Sequence, residues 1–406
     1  MLVRVLFLTL VLVTSACGEK TEENQTPPMA YDILKIDPIS AQYSRLQILD
    51  VASTKYLTYA EKHDPVNGYP ISDNNNTQQW SQASLRWSSG FFPGILWQLG
   101  YMQADLELLQ QAERWTLPLR ELATWNGHDL GFLIDNSFGK GSRVQPNRDF
   151  DDVRKLAANT LLDRFNQAVG ATRSWNDRPD FVVIIDNMMN LALLFDTAKT
   201  QGDERYYDAA LKHMQTTARE FVRSDGSSYH VVHFSEDNGQ VIKKRTAQGA
   251  SDESTWARGQ AWGIYGFSMA YRETGDSIAL DTAVKMANYY LNKLPNDGVP
   301  NWDFDASGSA IPKDTSAAAI AAVGLWLLGK QIPGQDGSTY MEASKELVNA
   351  LLNSEYINLD EDKGALLKQA TGNKPGNIEV NASLIYADYY LIEALLLQSE
   401  IIEWPL

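Results

Sequence analysis

One design recurs along this chain: an apolar run at helical spacing, a tight turn, then an amphipathic run. It is clear in NMMNLALLFDTAKTQGDERYYDAALKHMQTTA, with its turn at Gly202 and Asp203, and in IYGFSMAYRETGDSIALDTAVKMANYYLNKL, with its turn at Gly275 and Asp276. IAAVGLWLLGKQIPGQDGSTYMEASKELVNALL is a third version with its turn placed around Gly337, and GILWQLGYMQADLELLQQAERW is a diverged fourth. Helical hairpins of this kind cannot each bury an apolar face alone, so they must stack on one another. Stacking can give an open solenoid or close six hairpins into an (α/α)6 barrel, a toroid with a central pocket. Solenoid repeats recur about every 33 to 47 residues, whereas Gly202 to Gly275 is 73 residues and Gly275 to Gly337 is 62. Connections that long favour the toroid, whose loops build the mouth of a pocket.

Before the repeats stands a different kind of segment. Residues 1–17, MLVRVLFLTLVLVTSAC, carry one arginine, an apolar stretch too short to span a bilayer, and small residues, which is the build of a signal peptide. It ends at Cys17, the one cysteine of the chain, so no intrachain disulfide can form. The ending resembles the lipobox of bacterial lipoproteins, with Thr14 where that pattern carries leucine. Residues 18–30, GEKTEENQTPPMA, read as a polar tether, and residues 31–406 as a single catalytic domain. The expected location is across the inner membrane, as a lipoprotein of the outer membrane facing the periplasm or the cell surface. Membrane contact is then through the acylated Cys17 alone. The net charge of −16 argues against nucleic acid as a partner, and an anionic ligand would have to meet a local cationic site.

Three segments between the helices carry chemistry. In WNGHDLGFLI (125–134), His128 and Asp129 precede a helical run; a polar loop entering a helix reads the same way. FVVIIDNMMNLALLF (181–195) is apolar except for Asp186, Asn187 and Asn190. A carboxyl group in such a run is desolvated, holds its proton to higher pH and can serve as a general acid. The alternative is an aspartate capping the helix that starts at Asn187. AQGASDESTWARGQAWGIYGF (247–267) sets Arg258 between Trp256 and Trp262, with Gln248 on the preceding loop. A guanidinium among aromatic walls can clamp a carboxylate in bidentate geometry, or sit in a helix-packing seam. His230 and His233, three residues apart on a strand-like stretch, have poor spacing for zinc. No metal or cofactor motif is present.

Taken together, GHDLGF, VIIDNMMNL and QGASDESTWARGQAWGIYGF resemble glycoside hydrolase family 88, the unsaturated glucuronyl hydrolases. RWSSGFFPGILW, PKDTSAAAIAA and YADYYLIEALL support the likeness, which runs from about residue 86 to 396 in the family's order. The resemblance implies the (α/α)6 barrel and the removal of terminal 4,5-unsaturated uronic acids from oligosaccharides made by polysaccharide lyases. It implies Asp186 as general acid/base and Asp129 as the second essential carboxylate. It also implies Gln248, Trp256, Arg258, Trp262, His230, His128 and Trp87 around the uronate, with Asn381 and Ser383 in the outer region. Ala247 departs from the family pattern, which often has histidine there. The expected state is a monomer or homodimer. The competing readings are a sugar epimerase or isomerase on the same toroid, using His128 and His230, and a non-catalytic glycan-binding lipoprotein.

Overall fold

The computed structural model describes residues 37–73, 80–83, 85–361 and 364–399. The signal peptide with Cys17 and the tether 18–30 lie outside the described residues. In chain order the helices are α1 (Arg45–Lys62), α2 (Phe91–Gln103), α3 (Leu106–Thr116), a π-helix (Gly131–Gly139) running directly into α4 (Lys140–Val144), and α5 (Arg148–Leu162). They continue as α6 (Asn187–Gln201), α7 (Glu204–Phe221), α8 (Ala257–Thr274), α9 (Ser277–Lys293), α10 (Thr315–Gln331), α11 (Gly334–Leu351) and α12 (Ile385–Ser399).

Two burial patterns sort these helices into two layers. In α10 every residue from Thr315 to Gly329 is buried, and α8 is buried from Ala257 to Ala270. In α7 the buried positions are Tyr206, Ala209, Ala210, His213, Met214, Thr216, Thr217 and Phe221, one face of a helix. Helices buried all round form the inner layer. There α2, the π-helix, α6, α8, α10 and α12 touch in that order, and α12 returns to α2, which closes the ring. Outer helices α3, α5, α7, α9 and α11 each pack on the inner helix before them, and α1 packs on α2 and α3. The toroid expected from the hairpin repeat is the fold. Lys140 Nζ donates to Glu393 at 2.7 Å and Tyr265 Oη donates to the same carboxylate at 3.0 Å, so a buried ion pair ties α4, α8 and α12 together with a donor on each carboxylate oxygen.

The turns follow from local chemistry. Gly202 (φ 63°) and Gly275 (φ 67°) end α6 and α8 in the left-handed conformation. Asp203 and Asp276 then cap α7 and α9 by accepting from the Arg205 and Ile278 amides. The diverged fourth hairpin is α2–α3, where Ala104 takes the left-handed position and Asp105 caps. The third hairpin differs from its sequence reading. Its turn is at Ile332 and Pro333, and Gly337 lies inside α11. A Cβ on Gly337 would stand 2.0 Å from the Ile332 carbonyl oxygen, so that glycine serves a close approach and not the turn.

The long connections carry short strands. β1 (Tyr69–Asp73), β2 (Ser81–Ala83), β3 (Phe165–Asn166), β4 (Ala171–Thr172), β5 (Phe181–Ile184), β6 (Val231–Phe234), β7 (Val241–Arg245), β8 (Ala370–Asn373) and β9 (Ile378–Leu384) form three antiparallel groups. Their orders are β2-β1-β9-β8, β3-β4 and β5-β6-β7. Because each hairpin runs inner helix first, the inner helices all begin at one end of the ring. Contacts among their first residues bear this out. Trp87, just before α2, meets Tyr386 of α12 at 5.3 Å between ring centroids; the Arg258 guanidinium of α8 lies 5.5 Å from the Tyr386 ring and bonds Asp314 before α10.

Candidate active site

Asp186 sits where β5 turns into α6. The apolar strand pairs with β6, Ile184 opposite Val231, and the Ile185 amide donates to the His230 carbonyl at 3.0 Å. The strand therefore delivers Asp186 beside His230. Asp186 occupies the cap position of α6 but makes no capping bond, and its backbone is already helical (φ −56°, ψ −28°). Its carboxylate is thus released from helix duty. Burial pushes its pKa up to about 7, with the nearby Asp129 charge adding to the rise; the Arg258 charge and a hydrogen bond from Trp262 oppose it.

Asp129 ends the loop that enters the π-helix and is 9% exposed. Burial raises its pKa to about 7 as well, against a hydrogen bond from Asn190 and the charge of Arg164. His128 Nε2 stands 3.3 Å from Asp129 Oδ2. Burial and the Arg164 charge hold the His128 imidazole neutral, its pKa down to about 3. Arg164 braces this loop from behind: it donates to Asn126 Oδ1 at 2.5 Å, Ser174 O at 2.8 Å and Arg173 O at 2.9 Å.

His230 faces Asp186 with Nε2 3.7 Å from Oδ2. Its Nδ1 accepts from the Ala247 and Gln248 amides, each at 3.3 Å, so the ring proton of the neutral tautomer is on Nε2 and points at the acid. Burial, then the charges of Arg258 and Arg245, lower its pKa to about 3. The Trp256 ring stacks on it at 4.3 Å. Trp262, 1% exposed, closes the floor against Phe132 (5.1 Å) and Tyr390 (5.3 Å).

Arg258 is placed differently from the clamp that the sequence suggested. Nη1 donates to Asp314 Oδ2 at 2.7 Å and Thr371 O at 2.5 Å, and Nη2 donates to Gly372 O at 2.5 Å. Three of its five N–H donors go to protein acceptors, among them the buried Asp314 carboxylate, whose charge needs a paired cation. Gln248 Nε2 donates to the same Gly372 oxygen at 2.8 Å. Arg258 still contributes its charge to Asp186, and its guanidinium lies 4.5 Å from the Trp256 ring centre. In the outer region Ser383 is buried on β9 opposite Asp73, while Asn381 is exposed with φ 53°.

Three residues of this region were given no site role in the sequence reading. Asn190 joins the two acidic segments. Trp175 packs with Ala247 on the cluster of Val182, Ile184 and Val231, and the Arg245 guanidinium lies 5.5 Å from the Trp175 ring centre. Asn190 carried a signal, a second amide inside an otherwise apolar run. Trp175 and Arg245 carried none, because only the pairing of β5, β6 and β7 brings them together.

A closed ring of inner helices that carries two carboxyl groups of raised pKa, a neutral imidazole and aromatic side chains at one end has the build of an (α/α)6 enzyme. Comparison with known proteins narrows this. No family model matches the chain. It is 36% identical over 408 residues to an unsaturated glucuronyl hydrolase of Formosa agariphila, covering 96% of each. It is 33% identical over 339 residues to an unsaturated chondroitin disaccharide hydrolase of Streptococcus agalactiae, covering 81% of this chain and 85% of that one. The crystal structure of an unsaturated glucuronyl hydrolase specific for heparin superposes with a TM-score of 0.83 at 35% identity, over 88% of this chain and 98% of that one. The chain belongs to the unsaturated glucuronyl hydrolases, and it is a glycoside hydrolase.

Proposed function

We propose that this enzyme removes the terminal 4,5-unsaturated uronic acid from lyase-generated oligosaccharides by hydrating its double bond, with Asp186 as the acid and base. The reading is carried by one observation: Asp186 has only 15% of its side chain exposed, makes no capping bond, and its pKa is raised to about 7. Such a carboxyl group keeps a proton near neutrality to give to carbon. The vinyl ether C4=C5 takes that proton at C4, leaving positive charge shared by C5 and the ring oxygen. Water adds to C5, and its proton goes to the Asp186 carboxylate. The C5 hemiketal then opens to the ketone, and the hemiacetal left at C1 collapses, releasing the aglycone sugar. Asp129 supplies negative charge beside the cation, and His230 offers Nε2–H to the sugar or the water. Because protonation is on carbon, the separation rule for paired glycosidase carboxylates does not govern Asp129 and Asp186.

The decisive assay follows the ultraviolet absorbance of the conjugated uronate in lyase digests of several acidic polysaccharides. Absorbance should fall as the aglycone appears, and saturated uronides should be inert. Cleavage of saturated uronides at a comparable rate would overturn the hydration mechanism.

We also propose that the enzyme is exported and acylated at Cys17, with residues 18–30 holding the domain clear of the membrane. The support is the apolar, small-residue run that ends at Cys17. Gly18 follows it where inner-membrane retention would call for aspartate, so the outer membrane is the proposed site.

A further inference from the structure

Asn190 lies one helical turn after Asp186 on α6 and is 1% exposed. Its side chain is used at both ends. Oδ1 accepts from the amides of Gly131 at 2.8 Å and Phe132 at 3.2 Å, the first two of the π-helix. Those bonds decide which end of the amide is oxygen. Nδ2 therefore faces Asp129, 3.5 Å from its Oδ1, a long contact of the kind that tightens when substrate closes a site. The approach of the two helices is steric as well as polar. A Cβ on Gly131 would stand 2.5 Å from Asn190 Cα and 2.7 Å from its Oδ1, so only glycine lets the π-helix seat on this amide.

One side chain thus links the start of the π-helix, which carries Asp129, to the helix that begins beside Asp186. We propose that Asn190 is a positioning residue for the reaction: it fixes the separation of the two carboxyl groups and donates to Asp129, so that the proton of the pair rests on Asp186. This deepens the hydration reading and rests on it. Two carboxyl groups in one buried site cannot both ionise cheaply, and a donor held on one of them favours charge there. The other groups facing the pair are His128 on the Asp129 loop, Arg164 at the end of α5, His230 beside β6, Arg258 and Trp262 on α8, and Tyr386 on α12. Arg164 favours charge on Asp129, whereas Arg258 and a hydrogen bond from Trp262 favour it on Asp186, and the charge of Asp129 in turn pushes the proton onto Asp186. The Asn190 donor adds to the Asp129 side and also holds that carboxyl group in place.

The test is Asn190→Asp, which keeps the shape and the acceptor for Gly131 and Phe132 but replaces the donor with a third carboxylate. With folding checked by near-ultraviolet circular dichroism, kcat should fall about 10- to 100-fold with little change in KM, the scale of losing a residue that orients a reacting group. The basic limb of the pH–rate profile should move up by about one pH unit, since an added negative charge raises neighbouring carboxyl pKa values. Asn190→Ala, which adds no charge, should lower kcat without that upward shift. Wild-type kcat and pH profile in Asn190→Asp would overturn the proposal. So would failure of both variants to fold, which would make the side chain a structural cap and nothing more. Asp186→Asn separates this from the parent reading. An inactive Asp186→Asn beside a silent Asn190→Asp removes only the positioning role, whereas an active Asp186→Asn removes the hydration mechanism itself.

Discussion

Asp186 Oδ2 and His230 Nε2 face each other across 3.7 Å, both buried and neither with a hydrogen-bond partner. The β5–β6 pairing and the two amides on His230 Nδ1 hold them there. A sugar hydroxyl or a water entering this gap would meet a donor on one side and an acid on the other.

Asp186→Asn keeps the size and loses the proton that carbon must receive. Turnover, read as loss of uronate absorbance, should fall by about 10²–10⁴, the range for removal of a general acid. Circular dichroism and chromatographic behaviour should be unchanged, because the Asp186 side chain does not cap α6.

The same residue predicts a stability effect of opposite sense. The pKa of Asp186 rises from 3.8 to about 7 on folding, and that of Asp129 likewise. Between about pH 4 and pH 7 the folded protein therefore holds protons that the unfolded chain has released, and stability falls as pH rises through that window. Asp186→Asn removes one of these titrations. Its Tm should exceed that of the wild type, and by more at pH 8 than at pH 5. In the wild type, kcat should decline above about pH 7 as the acid loses its proton. A Tm difference that did not depend on pH would contradict the buried-acid origin of the shift.

The lipid anchor is tested at one position. Two or three acyl chains hold a protein on a membrane, where one gives only marginal binding. Cys17→Ser should move activity from the membrane fraction to the soluble fraction with kcat and KM unchanged. A wild-type protein already soluble, with its first residue beyond Cys17, would leave simple secretion.

How far the sequence could be read depended on the range of the interactions involved. The toroid was legible because apolar runs, left-handed Gly202 and Gly275, and capping Asp203 and Asp276 are local signals. Gly337 misled because a glycine needed for close packing on Ile332 looks the same in sequence as a turn glycine. Asp186 was legible because five apolar residues before a lone carboxyl group already imply burial. What Arg258 touches was not, since its partners Asp314, Thr371 and Gly372 lie 56 to 114 positions away. Aromatic neighbours at i−2 and i+4 describe a substrate clamp and a packing seam equally well. Asn190 was visible as an amide in an apolar run, but its use depends on the Gly131 and Phe132 amides, 59 and 58 residues earlier.

Arg258 supplies the last prediction, in which geometry and charge part company. Its fork spans Asp314 and the carbonyls of Thr371 and Gly372, and Asp314 Oδ1 also accepts from the Ser316 amide at 3.1 Å and the Ser316 hydroxyl at 2.5 Å at the start of α10. A lysine ammonium carries the same charge but cannot reach three acceptors set out for a planar group. Arg258→Lys should lower both Tm and kcat/KM, because β8 and the Gln248 loop that shares the Gly372 oxygen lose their anchor. Arg258→Ala should be worse, by about 3–5 kcal/mol of stability, since it strands the buried Asp314 charge. Asp314→Asn distinguishes an arginine that acts through the scaffold from one that grips the uronate. It keeps a hydrogen-bond acceptor for Arg258 but removes the ion pair. If Arg258 serves by holding β8 in place, Asp314→Asn should reproduce the loss in kcat/KM in milder form, with KM and kcat both affected. If Asp314→Asn is silent while Arg258→Lys raises KM alone, the guanidinium contacts substrate directly and the scaffold role is wrong.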